Sequence, residues 1–168
     1  EIQKKYGFPK ADGLLLDLGF SSHHLESGRG FTFQKDEPLD MRYDKKTEGE
    51  RAADILNSYP RDTIAEILWK YGEEKKARRI AENIAGARKR RKIERVEDIV
   101  RIIGGRRGKI HPATKTFQAL RIYVNKELEN LEEALRRIPI IVSPEGRAAI
   151  ITFHSLEDRI VKQYFKTY

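Results

Sequence analysis

The chain has 168 residues, 39% of them hydrophobic, enough for one ordinary domain and little more. Charged residues make up 36%, and 34 Lys+Arg against 26 Asp+Glu give a formal charge of +8, a mixed-sign basic composition unlike a disordered tail of one charge. Zero Cys excludes a disulfide frame, a thiolate zinc site and a cysteine nucleophile, and no apolar run approaches the ~18 to 20 residues that cross a bilayer.

No signal-type segment opens the chain, so a reducing cytoplasm and no membrane partner are expected. The first residue is Glu1, not Met, which reads as a cut or processed piece. Asp12-Gly-Leu-Leu-Leu-Asp17 is the first element, and its unbroken apolar centre predicts a short strand buried on both faces. Leu18-Gly-Phe-Ser-Ser22 turns away from its carboxyl end. A Gly-rich aromatic loop follows through Arg29-Gly-Phe-Thr-Phe33 to Pro38-Leu-Asp-Met-Arg42.

From about Glu50 the period becomes helical. Ala53, Ile55 and Leu56 lead to Pro60, which opens a helix striped by Ile64, Ile67, Leu68 and Tyr71. Ala77, Ile80, Ala81 and Ile84 predict a third helix that weakens at Gly86. Val96, Ile99, Val100 and Ile103 predict a fourth, stopped by Gly104-Gly105. After Pro112 comes the strongest helical signal, Phe117, Leu120, Val124, Leu128, Leu131 and Leu135, read as one long helix. Ser143-Pro-Glu-Gly146 reads as a turn and Arg147 to Phe153 as a second buried strand. His154 closes that strand, and Ser155 is placed to cap a last helix with Asp158 as its box partner.

The positive excess is concentrated. Between Lys75 and Lys109 stand 14 Lys/Arg against 4 Asp/Glu, and the rest of the chain is slightly acidic. The run Arg88, Lys89, Arg90, Arg91, Lys92, with Arg106, Arg107 and Lys109 beyond it, is the footprint of a polyanion binder or else a solvated helix face. No wide apolar face accompanies it, which disfavours a membrane surface.

Two apolar strands, each running into a polar loop, flank a block of helices, and the fold class is α/β. Ligands of open α/β sheets bind beyond the carboxyl ends of the strands. Asp17, Ser21, Ser22, His154 and Ser155 are therefore expected on one rim. Asp17 is either the cap of a turn or an acceptor for an amine; His154 is either a site histidine or a structural one. His23-His24 has no third ligand at metal spacing, so no metal is expected. Gly104-Gly-Arg-Arg-Gly108 follows a helical pattern and lacks the ending of a phosphate loop. Two strands do not complete a sheet, and half of a core is missing.

Six stretches in order resemble the bacterial small-subunit ribosomal RNA cytosine-N4 methyltransferases, the MraW family. They are Asp12-Gly-Leu-Leu-Leu-Asp-Leu-Gly-Phe-Ser-Ser22, Arg29-Gly-Phe-Thr-Phe33, Pro38-Leu-Asp-Met-Arg42, Tyr71-Gly-Glu-Glu74 with Ala77-Arg-Arg-Ile-Ala81, Lys109 through Asn125, and Phe153-His-Ser-Leu-Glu-Asp-Arg-Ile-Val161. The resemblance implies a Rossmann-type, S-adenosylmethionine-dependent methyltransferase, residues 1-43 and 112-168, with an all-helical substrate domain, residues 44-111, inserted. It implies cofactor contact at Asp17 and at the position seven residues on, where the family has Gln and this chain His24. A neutral imidazole there offers one donor, not an amide's donor and acceptor together. Glu145 stands where the family more often has Gly.

The family's main cofactor element, a strand, a glycine-rich turn and an acidic residue, lies upstream of these motifs. The chain is therefore expected to be a portion of such an enzyme or a variant without the cofactor half. Ribosomal RNA or the small subunit is the expected partner, with a homodimer left open. Asp17, Ser21, Ser22, Asp40 and His154 are the candidates to grip the weakly nucleophilic cytosine amine. Phe31 and Phe33 are candidates to stack an unstacked base, and the basic cluster to hold phosphates. The competing reading is a basic RNA-binding module without chemistry.

Overall fold

A computed structural model describes residues 5–46, 49–104 and 111–167. The chain forms two compact units, residues 1–20 with 127–168, and residues 21–126. The mixed α/β class holds. The division falls outside the expected boundaries: residues 21–43 and 112–126 pack within the helical unit.

In the sheet unit, strand β1 (Ala11–Asp17) pairs in parallel with β2 (Val142–Ile151), from Gly13 opposite Arg147 to Asp17 opposite Ile151. The register jumps between Ala11/Val142 and Gly13/Arg147. The turn-forming Ser143-Pro-Glu-Gly146 is thus an irregularity inside a longer strand, not a turn before a shorter one. Helix α7 (Glu127–Ile141) and helix α8 (Ser155–Thr167) cover one sheet face, where Leu131, Leu135, Ile138, Val142 and Val161 are buried against Leu14, Ala148 and Ile150. (Helices are numbered α1 to α8 in chain order.) Among the described residues the opposite face is uncovered. Leu15 is 64% exposed and Ile151 46%, which corrects the expectation of strands buried on both sides. Side chains alternate across a strand, and among the described residues only one layer of helices packs on this pair.

The helical unit holds α1 (Ser22–Glu26), α2 (Ala52–Ser58), α3 (Arg61–Gly72), α4 (Ala77–Arg88), α5 (Val96–Ile103) and α6 (Thr114–Asn125). Its core follows the stripes read from the sequence: Ile55, Leu56, Ile64, Leu68, Ile80, Ile84, Val96, Ile99 and Leu120 are all buried. Helix α4 runs through Gly86 to Arg88, past the weakening in its pattern. Helix α3 packs on α6 closely enough that a Cβ on Gly72 would lie 2.4 Å from the Lys115 carbonyl oxygen.

The long helix expected after Pro112 is two. Lys126, with φ of 50°, breaks it, and its N–H closes α6 on the Ile122 and Tyr123 carbonyls. The apolar period survives the break because Phe117 and Leu120 are buried in one unit and Leu131 and Leu135 in the other. Among the described residues no helix is long and apolar enough to cross a membrane.

Candidate functional site

The parallel pairing carries Asp17 and, three residues past Ile151, His154 to the same end of the sheet. Asp17 is exposed, with no hydrogen bond or ion pair from its carboxylate among the described residues. Behind it Gly19 takes φ of 91°, and a Cβ there would meet the Phe153 ring at 3.3 Å, so the turn needs glycine on both counts.

His154 is the cap of α8. Its Nδ1 accepts the Glu157 N–H at 3.4 Å, and the Glu157 carboxylate accepts the Phe153 N–H at 2.9 Å. The expected Ser155/Asp158 box does not form, because Ser155 is already helical and Asp158 pairs with Lys162 at 2.9 Å. His154 Nε2 lies 3.2 Å from Glu157 Oε1, out of line for a hydrogen bond. Burial pushes the Glu157 carboxyl up, but the His154 ring and the Phe153 N–H outweigh it and hold it below the ordinary value.

One ligand atom from each of Glu127, His154 and Glu157 lies within 4.8 Å of the others. Because Nδ1 accepts an N–H, a neutral His154 carries its proton on Nε2, the nitrogen that faces the carboxylate. The cluster as built is a proton-bearing imidazole against acids.

Ser21, Ser22, His24 and Asp40 belong to the helical unit. Ser21 caps α1 and its N–H donates to His24 Nδ1 at 3.2 Å, with its Oγ 3.1 Å from the same nitrogen. A neutral His24 therefore offers an Nε2–H donor and no acceptor. Ser22 is exposed at the first position of α1. The His24 ring packs on Tyr43 at 4.8 Å and Phe31 at 5.5 Å, and Phe31 stacks on Tyr43 at 5.6 Å.

Phe31 is buried, and Phe33 stacks on His111 at 4.5 Å and meets Phe117 edge-on. Of the expected aromatic surface for a base, Phe31 is thus internal packing, and Phe33 is half-buried against its two ring partners. The exposed aromatic of this unit is Trp69, 67% exposed and unremarked in the sequence reading.

Asp40 is also corrected. Arg42 Nε donates to its Oδ1 at 2.7 Å and Nη2 to its Oδ2 at 3.0 Å, so both oxygens are engaged and the residue anchors a loop. Burial pushes the Asp40 carboxyl up, and the Arg42 hydrogen bonds and charge override it to hold the group below its ordinary value. The loop so anchored is strained: Met41, fully buried, takes φ of 62°.

Two side chains that the sequence reading missed hold that loop. Arg29 Nη1 donates to the Arg42 and Tyr43 carbonyls at 2.7 and 2.8 Å. Asn125 Nδ2 donates to the Met41 carbonyl, and its Oδ1 accepts the Tyr43 N–H, both at 2.8 Å. Three separate motifs meet here, an over-determined backbone of the kind found at functional sites. Their membership of those motifs was the available signal.

The basic run divides. Arg88 Nη1 donates to the Leu56 and Tyr59 carbonyls at 2.8 and 2.7 Å, so this guanidinium closes the end of α2. Lys89, Arg90, Arg91 and Lys92 are exposed, without side-chain hydrogen bonds or ion pairs among the described residues. Arg90, Arg91 and Lys92 line a cleft of about 300 Å³ with Arg101. Its Asp98 is occupied, accepting the Glu94 and Arg95 N–H groups. Arg106, Arg107 and Lys109 lie outside the described residues.

A model of the MraW methylase family matches residues 1–168. The chain is 48% identical to the ribosomal RNA small subunit methyltransferase H of Thermomicrobium roseum, over 98% of this chain and 52% of the relative. It is 48% identical to the protein of the same name from Dictyoglomus thermophilum, over 99% of this chain and 57% of that one. For Dehalococcoides mccartyi the figures are 48%, 99% and 48%. The chain spans about half the length of the curated relatives it matches.

Proposed function

Because the chain belongs to the MraW methylase family, we propose that it is part of an enzyme that methylates N4 of a cytidine in small-subunit ribosomal RNA from S-adenosylmethionine. The observation that carries this reading is the match along the whole chain to relatives named for ribosomal RNA methylation. The parallel β1/β2 pair, joined through a long helical connection, supports a Rossmann-type sheet with a helical insertion, the role expected of residues 44–111. The work belongs in the cytoplasm, where ribosomal RNA is made.

Asp17 offers an unengaged carboxylate at a strand's carboxyl end, an acceptor for the cofactor's amino group, and the family resemblance assigns a second contact to His24 of the helical unit. S-adenosylmethionine, when bound, supplies an electrophilic methyl group on sulfur. The chain's own task is to hold the acceptor amine in line and grip its N–H groups as the nitrogen pyramidalises. Asp17, Ser21 and Ser22 are the proposed grips; His154, whose Nδ1 already accepts the Glu157 N–H, and Asp40 act through the segments that they hold. Lys89 to Lys92 hold phosphates without reading sequence.

A binding module without chemistry is the second reading, favoured by the placement of all four free cations of the run in the helical unit. Calorimetric titration of S-adenosylmethionine into this chain and into a full-length relative separates the two. It is paired with transfer of labelled methyl to small-subunit RNA and mass spectrometry of its nucleosides. N4-methylcytidine from the relative, lost on Asp17→Ala, is expected. A relative that methylates normally without this aspartate would overturn the assignment of Asp17, and methylation at another atom would overturn the reaction.

A further inference from the structure

Trp69 is the only tryptophan of the chain, and it stands 67% exposed on α3. A single exposed apolar residue needs no explanation by itself. This one lines a groove of about 1150 Å³ between α3 and the start of α4, together with Lys75, Lys76, Arg78 and Arg79. Those four cations are exposed and form no side-chain hydrogen bond or ion pair among the described residues.

The acids of the groove are largely engaged. Arg61 Nη2 sits 2.8 Å from Asp62 Oδ1 and its Nη1 2.9 Å from Glu82 Oε2. Glu74 is buried, and its Oε1 accepts the Lys76 N–H at 2.8 Å. Glu66 is the remaining acid, so among the described residues the groove sets the exposed indole and four unpaired cations against one unpaired carboxylate.

An exposed indole that shares a groove with cations is the recurring platform for an unpaired base and its flanking phosphates. Base stacking needs no sequence-specific partner, which suits a surface that lacks free amide or hydroxyl groups. We infer that the Trp69 groove seats an unpaired RNA base on the indole, with Lys75, Lys76, Arg78 and Arg79 holding the adjoining phosphates. The inference rests on the reading that this chain handles ribosomal RNA. It adds a contact surface on α3 and α4 that is separate from the Arg90/Arg91 cleft.

With one tryptophan, intrinsic emission reports on this groove alone. The 168-residue chain is titrated with a single-stranded RNA of about 12 nucleotides. A fluorescein-labelled copy is followed by anisotropy, and an unlabelled copy by tryptophan emission. Inorganic polyphosphate serves as a polyanion without bases. The expected result is quenching of Trp69 over the range in which anisotropy rises, and no comparable quenching by polyphosphate. Trp69→Ala should weaken RNA binding about 5- to 100-fold by anisotropy, and Trp69→Phe, which keeps a ring, should recover most of it.

Unchanged emission while anisotropy rises, equal quenching by polyphosphate, or unaltered affinity in Trp69→Ala would each overturn the groove assignment and leave the RNA reading standing. An absence of RNA binding by anisotropy would overturn both.

Discussion

Replacing Arg88 with Ala separates the structural from the functional reading of the basic run. The Arg88 guanidinium supplies two hydrogen bonds, at 2.8 and 2.7 Å, to the Leu56 and Tyr59 carbonyls where α2 ends. A hydrogen bond from a charged donor contributes about 1.5 kcal/mol at the lower end of its range, and a cation at a helix C-terminus adds a few tenths. Arg88 is half-buried, so solvent replaces part of this, and the net loss is about 2 kcal/mol. With a urea slope of about 2 kcal/mol per molar, the unfolding midpoint by circular dichroism falls by about 1 M. The comparison is the double variant Arg90→Ala/Arg91→Ala, whose side chains are exposed and unengaged. It should leave the stability within about 0.5 kcal/mol of the parent, yet flatten the slope of log affinity for RNA against log salt by about 1.4 to 1.8 units. An Arg88→Ala chain that unfolds at the parent midpoint while losing salt slope, as the double variant does, would refute the division of the run.

Thr116 is fully buried and its Oγ1 has no hydrogen-bond partner among the described residues, so Thr116→Val, of the same shape, should raise stability by about 1 kcal/mol; a lower thermal midpoint would show that the hydroxyl has a role. Gly72→Ala drives a methyl to within 2.4 Å of the Lys115 carbonyl oxygen, and the α3–α6 contact should lose about 2 kcal/mol despite alanine's better helix propensity. A gain in urea midpoint would mean that the helices separate freely. The Asp40 carboxyl is held below its ordinary value of 3.8, so its contribution is present above that value and lost as pH falls through the lower, folded one. Asp40→Asn should therefore be less stable than the parent by about 2 kcal/mol at neutral pH, with the gap closing below about pH 4. An equal gap at pH 7 and pH 3 would remove the ion pair as its cause.

The helices of the second unit were legible because their stripes need only local spacing to be read. Ile64, Ile67, Leu68 and Tyr71 recur at helical intervals, and all four are buried. The break at Lys126 was not legible, since the apolar period continues across it and only the left-handed backbone of one lysine divides the helices. The bare face of the sheet was misread for a related reason. Leu14, Leu15 and Leu16 form the unbroken apolar run of a strand covered on both sides, and sequence records that preference whether or not a cover is at hand. The exposed Leu15 and Ile151 are the side chains that such a cover would bury.

At the candidate site, residue types were legible and partnerships were not. Asp40 reads as an available carboxylate until Arg42 is seen to fork onto it, and Phe31 reads as a platform until Tyr43 and His24 cover it. The clamp of Asn125 on Met41 and Tyr43 spans more than eighty residues of chain, beyond the reach of any periodicity. Charge behaves in the same way. Five adjacent cations are equivalent as sequence, but one turn of helix past Ile84 points Arg88 back at the carbonyls of α2 and leaves Arg90 and Arg91 facing a cleft. A polyanion site thus follows from the cations that folding leaves unpartnered. By that criterion Lys75, Lys76, Arg78 and Arg79 around Trp69 stand level with the run that the sequence made conspicuous.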